Sequence, residues 1–361
     1  MSNVYMGTDV EEFIFGEGTY EESYSDLDAE IQAEMDATGI IECVDDPEVA
    51  CYRIALENEQ NYNMIMNTFM MHEYSVLEST GQEMIYEAEE SKSFFQNVKK
   101  WVENFWKKVK GVFKKVMDVL GSLVLSNKKF VQMYEGKTMS KPAKDKKFKG
   151  YDFPSNLGTI AKYDTIATVV TSEVEVDKIS SITKDQVEDY VHTFNTNFDA
   201  IKNKMRGYAC GGGTVVADNF KSKLQTAFYG GEKKEIALGE FSTLIADLKD
   251  AKDSKKAAKD AYKTAEKSVK TLLKQVKQAE NNIIKSKKLK AGGDPGMKVA
   301  KCMSQAINAS LSIMSQAMSV QNGAILAKAR QDRAQAAFYV SHQPLKGYQE
   351  STNSFLDVEL I

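Results

Sequence analysis

The sequence predicts a mainly α-helical, elongated protein with a long antiparallel helical hairpin toward its C-terminal end. Three observations carry this expectation. Apolar residues recur at three- and four-residue steps over much of the chain after residue 46, the period of one helix face. Only five prolines interrupt 361 residues. Two long helical patterns, residues 241–283 and 297–340, flank the turn-forming stretch AGGDPG.

The hairpin has the clearest pattern. From Phe241, Leu244, Leu248 and Ala251 through Lys255, Ala258 and Tyr262 to Ile283, the steps alternate three and four without a slip. That is a heptad seam over six heptads with one polar position, Lys255. The returning helix carries Val299, Met303, Ile307, Met314, Met318, Ile325 and Ala329. A short turn between two such helices implies an antiparallel pair. A heptad seam pairs within or between chains, and a homo-oligomer is expected.

The remaining elements follow in order. Residues 1–46 form an acidic arm, expected to be disordered, and 47–90 an acidic helical segment that opens at Pro47 and breaks near Gly81. Residues 91–126 are a cationic amphipathic helix. Residues 127–235 make a basic, mixed middle domain, irregular to about residue 160. Within it, 161–181 fits either a strand or a lead into a helix at Thr183, and 184–205 is helical. CGGGTVVADNF is a loop before a short helix, Ala217 to Phe228, which Gly230 and Gly231 end. The hairpin occupies 236–342, and 343–361 is a tail without period.

Charge is divided sharply along this order. Residues 1–90 hold 23 carboxylates against one cation, Arg53, a net of −22. The other 271 residues hold 46 basic and 28 acidic groups, a net of +18. Such asymmetry points to an anionic partner for the basic part, or to an acidic arm that masks it. The acidic N-terminus lacks the basic start of a secretory signal, and no apolar run reaches the roughly 20 residues of a bilayer span. A chain made in the cytoplasm is expected.

The most informative segment is Ser91 to Leu120, SKSFFQNVKKWVENFWKKVKGVFKKVMDVL. At about 100° per residue, Phe94, Phe95, Trp101, Phe105, Trp106 and Phe113 fall on one arc with the valines. Lys92, Lys99, Lys100, Lys107, Lys108, Lys110, Lys114 and Lys115 fall on the other, opposed only by Glu103. The aromatic face suits a membrane interface or a partner protein. It suits equally an ordinary helix packed on its own protein. The lysine face suits an anionic surface, either lipid or the phosphates of non-specifically bound DNA. With four arginines in the chain, base-specific reading is not expected.

Catalytic and cofactor motifs are missing. Cys43, Cys51, Cys210 and Cys302 have no metal-ligand spacing, and three histidines form no HExxH. The glycine triplet at 211–213 matches neither a Walker nor a dinucleotide loop, and a hinge is the reading favoured over a phosphate site. No enzyme, cofactor or metal is expected.

The stretch LESTGQEMIYEAEESKSFFQNVKKWVENFWKKVKGVFKKVMDVL, followed by NKKFVQMYEGK, FKGYDF and FYGGEKKEI, resembles internal or virion-associated structural proteins of large tailed bacteriophages. The resemblance covers about residues 77–240 and rests on order and composition. It implies a non-enzymatic virion component, in the head interior or released with the genome, with other virion proteins as partners. An alternative is a membrane-active protein that inserts the 91–120 helix during genome delivery. Ile85-Tyr86-Glu87 before Ala88 also resembles the hydrophobic-x-Glu sites of prohead proteases, as Ile40-Ile41-Glu42 does less well. A cut after Glu87 would remove most of the acidic charge.

Overall fold

The computed structural model describes residues 91–144, 146–175, 177–285 and 294–342, all within one unit of the chain, Glu59–Ile361. The expected acidic arm, the helical segment 47–90, the Glu87–Ala88 processing position and the tail 343–361 lie outside them. Among the described residues there are eight α-helices: α1 (Ser91–Ser126), α2 (Lys128–Tyr134), α3 (Tyr163–Val174), α4 (Val187–Ala209), α5 (Ala217–Tyr229), α6 (Phe241–Asp250), α7 (Lys252–Lys285) and α8 (Asp294–Ser341). Two three-residue strands, β1 (Phe148–Gly150) and β2 (Lys234–Ile236), pair antiparallel with Phe148 opposite Ile236. The protein is mainly α.

Helix α8 organises the rest. At 48 residues it runs about 70 Å. It touches α1, α3, α4, α5, α6, α7 and β1. Its sequence fits that place, because apolar residues run all round it. Ala324, Ile325, Leu326 and Ala327 are consecutive and all buried. A helix that is apolar on every side belongs inside a bundle. Its small residues let neighbours approach, and Met303, Met314 and Met318 fill the gaps.

The polar residues of α8 hold connecting segments in place. Gln321 accepts a hydrogen bond from the Tyr163 hydroxyl at 2.7 Å and donates to the Leu157 carbonyl at 2.7 Å. Gln331 exchanges two bonds with the Tyr151 backbone, both at 2.7 Å. Gln335 accepts from the Gly239 amide, and the Tyr339 hydroxyl donates to the Gly239 carbonyl. Each side chain satisfies backbone groups that a loop cannot pair alone. A second apolar cluster gathers Val131 of α2, Phe241 and Leu244 of α6, and Ala336 and Tyr339 of α8.

Four local outcomes differ from the sequence reading or resolve it. Residues 163–174 are helix, so the strand alternative for this stretch does not hold. Ile166, Ala167, Val169, Val170 and Val174 are all buried, with α3 packed against α4, α7 and α8. That packing overrides the β preference of Val and Thr. The stretch 127–160 contains α2 and β1. The seam from 241 to 283 is not one helix. It breaks at Ala251, which takes a left-handed conformation at φ 47°. Finally, Asp294, Pro295 and Gly296 of the expected turn already belong to α8. Helices α7 and α8 pack on each other and share α1 and α3 as neighbours.

Candidate functional site

Helix α1 separates its two faces as the sequence spacing requires. Phe95, Val98, Trp101, Val102, Phe105, Val109 and Val116 are buried, each 4 % exposed or less, where α1 meets α7 and α8. The aromatic face therefore serves the bundle of its own chain. Trp106 and Phe113 are half-buried at its edge. Between them lies Tyr262 of α7, stacked 4.2 Å from Phe113 and 5.1 Å from Trp106, centroid to centroid.

The lysines take the opposite side. Lys99, Lys100, Lys107, Lys110 and Lys114 are exposed, and Lys108 and Lys115 are half-buried. Lys92 and Phe94 lie in the first turn of α1. The Lys110 ammonium sits 5.4 Å from the Trp106 ring centroid, a cation–π distance. The predicted lysines of α1 thus include at least five that reach solvent together, beside a seam of three aromatic rings.

Helix α7 adds a feature that the reading of its apolar seam passes over. From Lys252 to Lys277 a lysine recurs at every third or fourth residue, and all eight of these lysines are exposed. Set at about 100° per residue, they occupy an arc of about 80°, and every position on that arc is lysine. The acids of this helix, Asp253, Asp260, Glu266 and Glu280, all fall outside it. Lys267 pairs with Asp164 of α3 and Lys270 with Glu266. The signal is legible as a three–four period of charge opposite the apolar one.

Two other clusters carry polar or reactive groups. An open groove of about 580 Å³ is lined by Asn156, Thr159, Lys162, Cys210, Gly211 and Gly212. Burial pushes the Cys210 thiol up to about 11, which makes it a poor nucleophile at neutral pH. The Gly211 and Gly212 amides already donate to the carbonyls of Tyr208 and Gly207, so this loop offers less of a phosphate cradle than its glycines suggest. The second cluster joins α6, α7 and α8. Lys328 pairs with Asp332 at 2.6 Å and lies 3.8 Å from Asp247. The Asp253 amide donates to Asp247 at 3.0 Å across the Ala251 break. Burial raises Asp332 to about 6, against the opposing pull of Lys328. For Lys328 burial opposes the charge, yet Asp332, Asp247 and Asp253 together hold its pKa up.

His192 is exposed on α4 and belongs to no group of three potential metal ligands among the described residues. Among the described residues no group of three His, Cys, Asp or Glu is placed to hold a metal. No helix among them is long and apolar enough to cross a membrane. The chain matches no protein-family model, no curated protein and no solved structure.

Proposed function

We propose that the protein is a non-enzymatic structural or internal component of a bacteriophage virion, which binds other virion proteins and an anionic partner, with DNA as that partner. The virion setting rests on the sequence resemblance over residues 77–240. The observation that carries the binding role is the division of α1: lysines to solvent, aromatic rings into the bundle. A phosphate backbone needs only the first of these faces. A membrane interface needs both, because interfacial helices bury their Trp and Phe side chains among acyl chains. The membrane-active alternative therefore requires α1 to leave α7 and α8.

Two measurements test this reading. The full chain is titrated with a fluorescent duplex and with anionic vesicles, at low and at moderate salt. Salt-sensitive duplex binding with unchanged tryptophan emission supports it. Vesicle binding with a blue-shifted emission, and none to duplex, favours the membrane alternative. Mass spectrometry of purified particles then tests the setting. A chain starting at Met1 or at Ala88 fits a virion component, the latter also a cleaved one. Absence of the chain from particles ends the virion reading.

A further inference from the structure

We infer that the lysine arc of α7 is the main contact surface for duplex DNA, with α1 as its flank. The inference rests on the DNA-binding reading above and assigns the partner's contact to a second helix.

Solubility alone does not require such an arc. A solvated helix face needs charge, but it is served by mixed signs, and a large single-sign field is a feature of steering or binding. The α7 arc has one sign only. Among the described residues, Lys267 and Lys270 of the arc pair with carboxylates. Both pairs lie in the second half of the arc; beside its first half, Lys252 to Lys263, Asp260 and Asp253 fall about 20° and 40° outside the arc.

Geometry narrows the partner. From Lys252 to Lys277 the arc runs about 38 Å at 1.5 Å per residue. One turn of B-form duplex is about 34–36 Å. A row of ammonium groups of that length spans about one turn, within which both sugar-phosphate backbones cross the side of the duplex that faces it. Lysine acts as a point charge for phosphate, whereas base reading favours the arginine fork. The arc therefore gives affinity without sequence preference. It also lacks any apolar residue, and the apolar side of α7 is inside the bundle, so nothing on it can enter an acyl layer.

The two helices present their charge around a common seam. Tyr262 falls about 60° from the edge of the α7 arc, with Glu266 and Lys255 between them. It stacks on Trp106 and Phe113. On α1, Lys99, Lys110 and Lys114 fall about 20–100° further round than those two rings. The lysines of both helices thus border one aromatic line.

The test uses the full chain and a 30-base-pair duplex, with affinity measured over a range of salt. One variant carries Lys256→Gln, Lys259→Gln, Lys263→Gln and Lys274→Gln. A second carries Lys99→Gln, Lys100→Gln, Lys107→Gln and Lys114→Gln. Glutamine keeps helix propensity, and circular dichroism checks that both fold. Every phosphate that is no longer neutralised makes the negative slope of log K against log salt shallower by about 0.9. The α7 variant is expected to make it shallower by up to about 3.6 and to weaken binding at least tenfold, more than the α1 variant does. An α7 variant that binds like the parent, while the α1 variant fails to bind, overturns this inference and leaves the DNA reading standing. A parent that binds no duplex at low salt overturns both. Binding of anionic vesicles but not duplex, abolished in the α7 variant, overturns the choice of DNA.

Discussion

The ring of Tyr262 in α7 stacks on Phe113 of α1 with centroids 4.2 Å apart and an interplanar angle of 28°. Phe113 and Trp106 lie about two helical turns apart on α1, so both meet the same tyrosine. The stack ties the aromatic edge of a cationic helix to the side of a second one.

Removing that ring should loosen the α1–α7 seam. Aromatic pairs add about 0.5–1.5 kcal/mol beyond area burial. Tyr262→Ala is expected to lower stability by about 2 kcal/mol, the ring pairs and the buried area together, and to red-shift Trp106 emission. Tyr262→Phe should keep both, because the seam uses the ring. Urea unfolding followed by tryptophan fluorescence reads the two quantities together.

Asp332 should give the fold a pH dependence of unusual sign. Its folded pKa, about 6, lies above the ordinary carboxylate value. A group shifted that way contributes stability that is fully present below the unfolded pKa, about 3.9, and is lost as pH rises through about 6. Asp332→Asn removes the titration. The stability of this variant relative to the parent should therefore rise between about pH 4 and pH 7, by about 2–3 kcal/mol. Denaturant midpoints at several pH values in that window check it. A difference that stays flat would mean that Asp332 remains ionised throughout.

The buried bond from Tyr163 to Gln321 offers a cleaner case. Tyr163→Phe keeps the ring and leaves the Gln321 carbonyl oxygen without its donor. An unsatisfied buried acceptor costs about 1–3 kcal/mol. Thermal unfolding should show a decrease of that size, with the Leu157 bond of Gln321 still in place.

Two glycines should respond in opposite ways to alanine. Gly230 ends α5 at φ 68°, and a Cβ there would meet the Asp152 carbonyl oxygen at 2.0 Å. Gly230→Ala is expected to cost more than about 2 kcal/mol, since strain and overlap add. Gly111 sits inside α1 with nothing within 4 Å of a built Cβ. Gly111→Ala should stabilise by about 0.5–1 kcal/mol. The pair is compared by thermal melts of the full chain.

The parts of this fold that the sequence reveals are those whose period is long. The 36 residues of α1 repeat their apolar face often enough to fix both helix and orientation. The same holds for the seam of α7. The break at Ala251 is hidden because the heptad runs through it and no glycine or proline marks it. Its conformation is held from outside, by Asp247 on one side and the start of α7 on the other. Helix α3 is ambiguous in sequence because its β-branched residues fit two periods, and only the neighbouring helices decide. The β1–β2 pair has three residues a strand, and Gly150 and Lys234 meet across a long stretch of intervening chain. No local pattern can announce it. The lysine arc of α7 is different: it lies in the open, at helical spacing, on the side of the helix that a search for core residues ignores.

The central place of α8 bears on how the chain is made. Its neighbours among the described elements, from α1 to α7, all precede it in synthesis. Tyr163 waits for Gln321, 158 residues later, and Tyr151 for Gln331, 180 residues later. Until residues 294–341 leave the ribosome, the inner faces of the earlier helices lack the cover that α8 gives them. At about 5–20 residues per second, translation takes some ten seconds or more to pass from α1 to the end of α8. During that interval the nascent chain presents alternating greasy and lysine-rich faces to the cell. The contacts of α7 with α1 and with α3 do not involve α8, so they can cover part of those faces before it arrives.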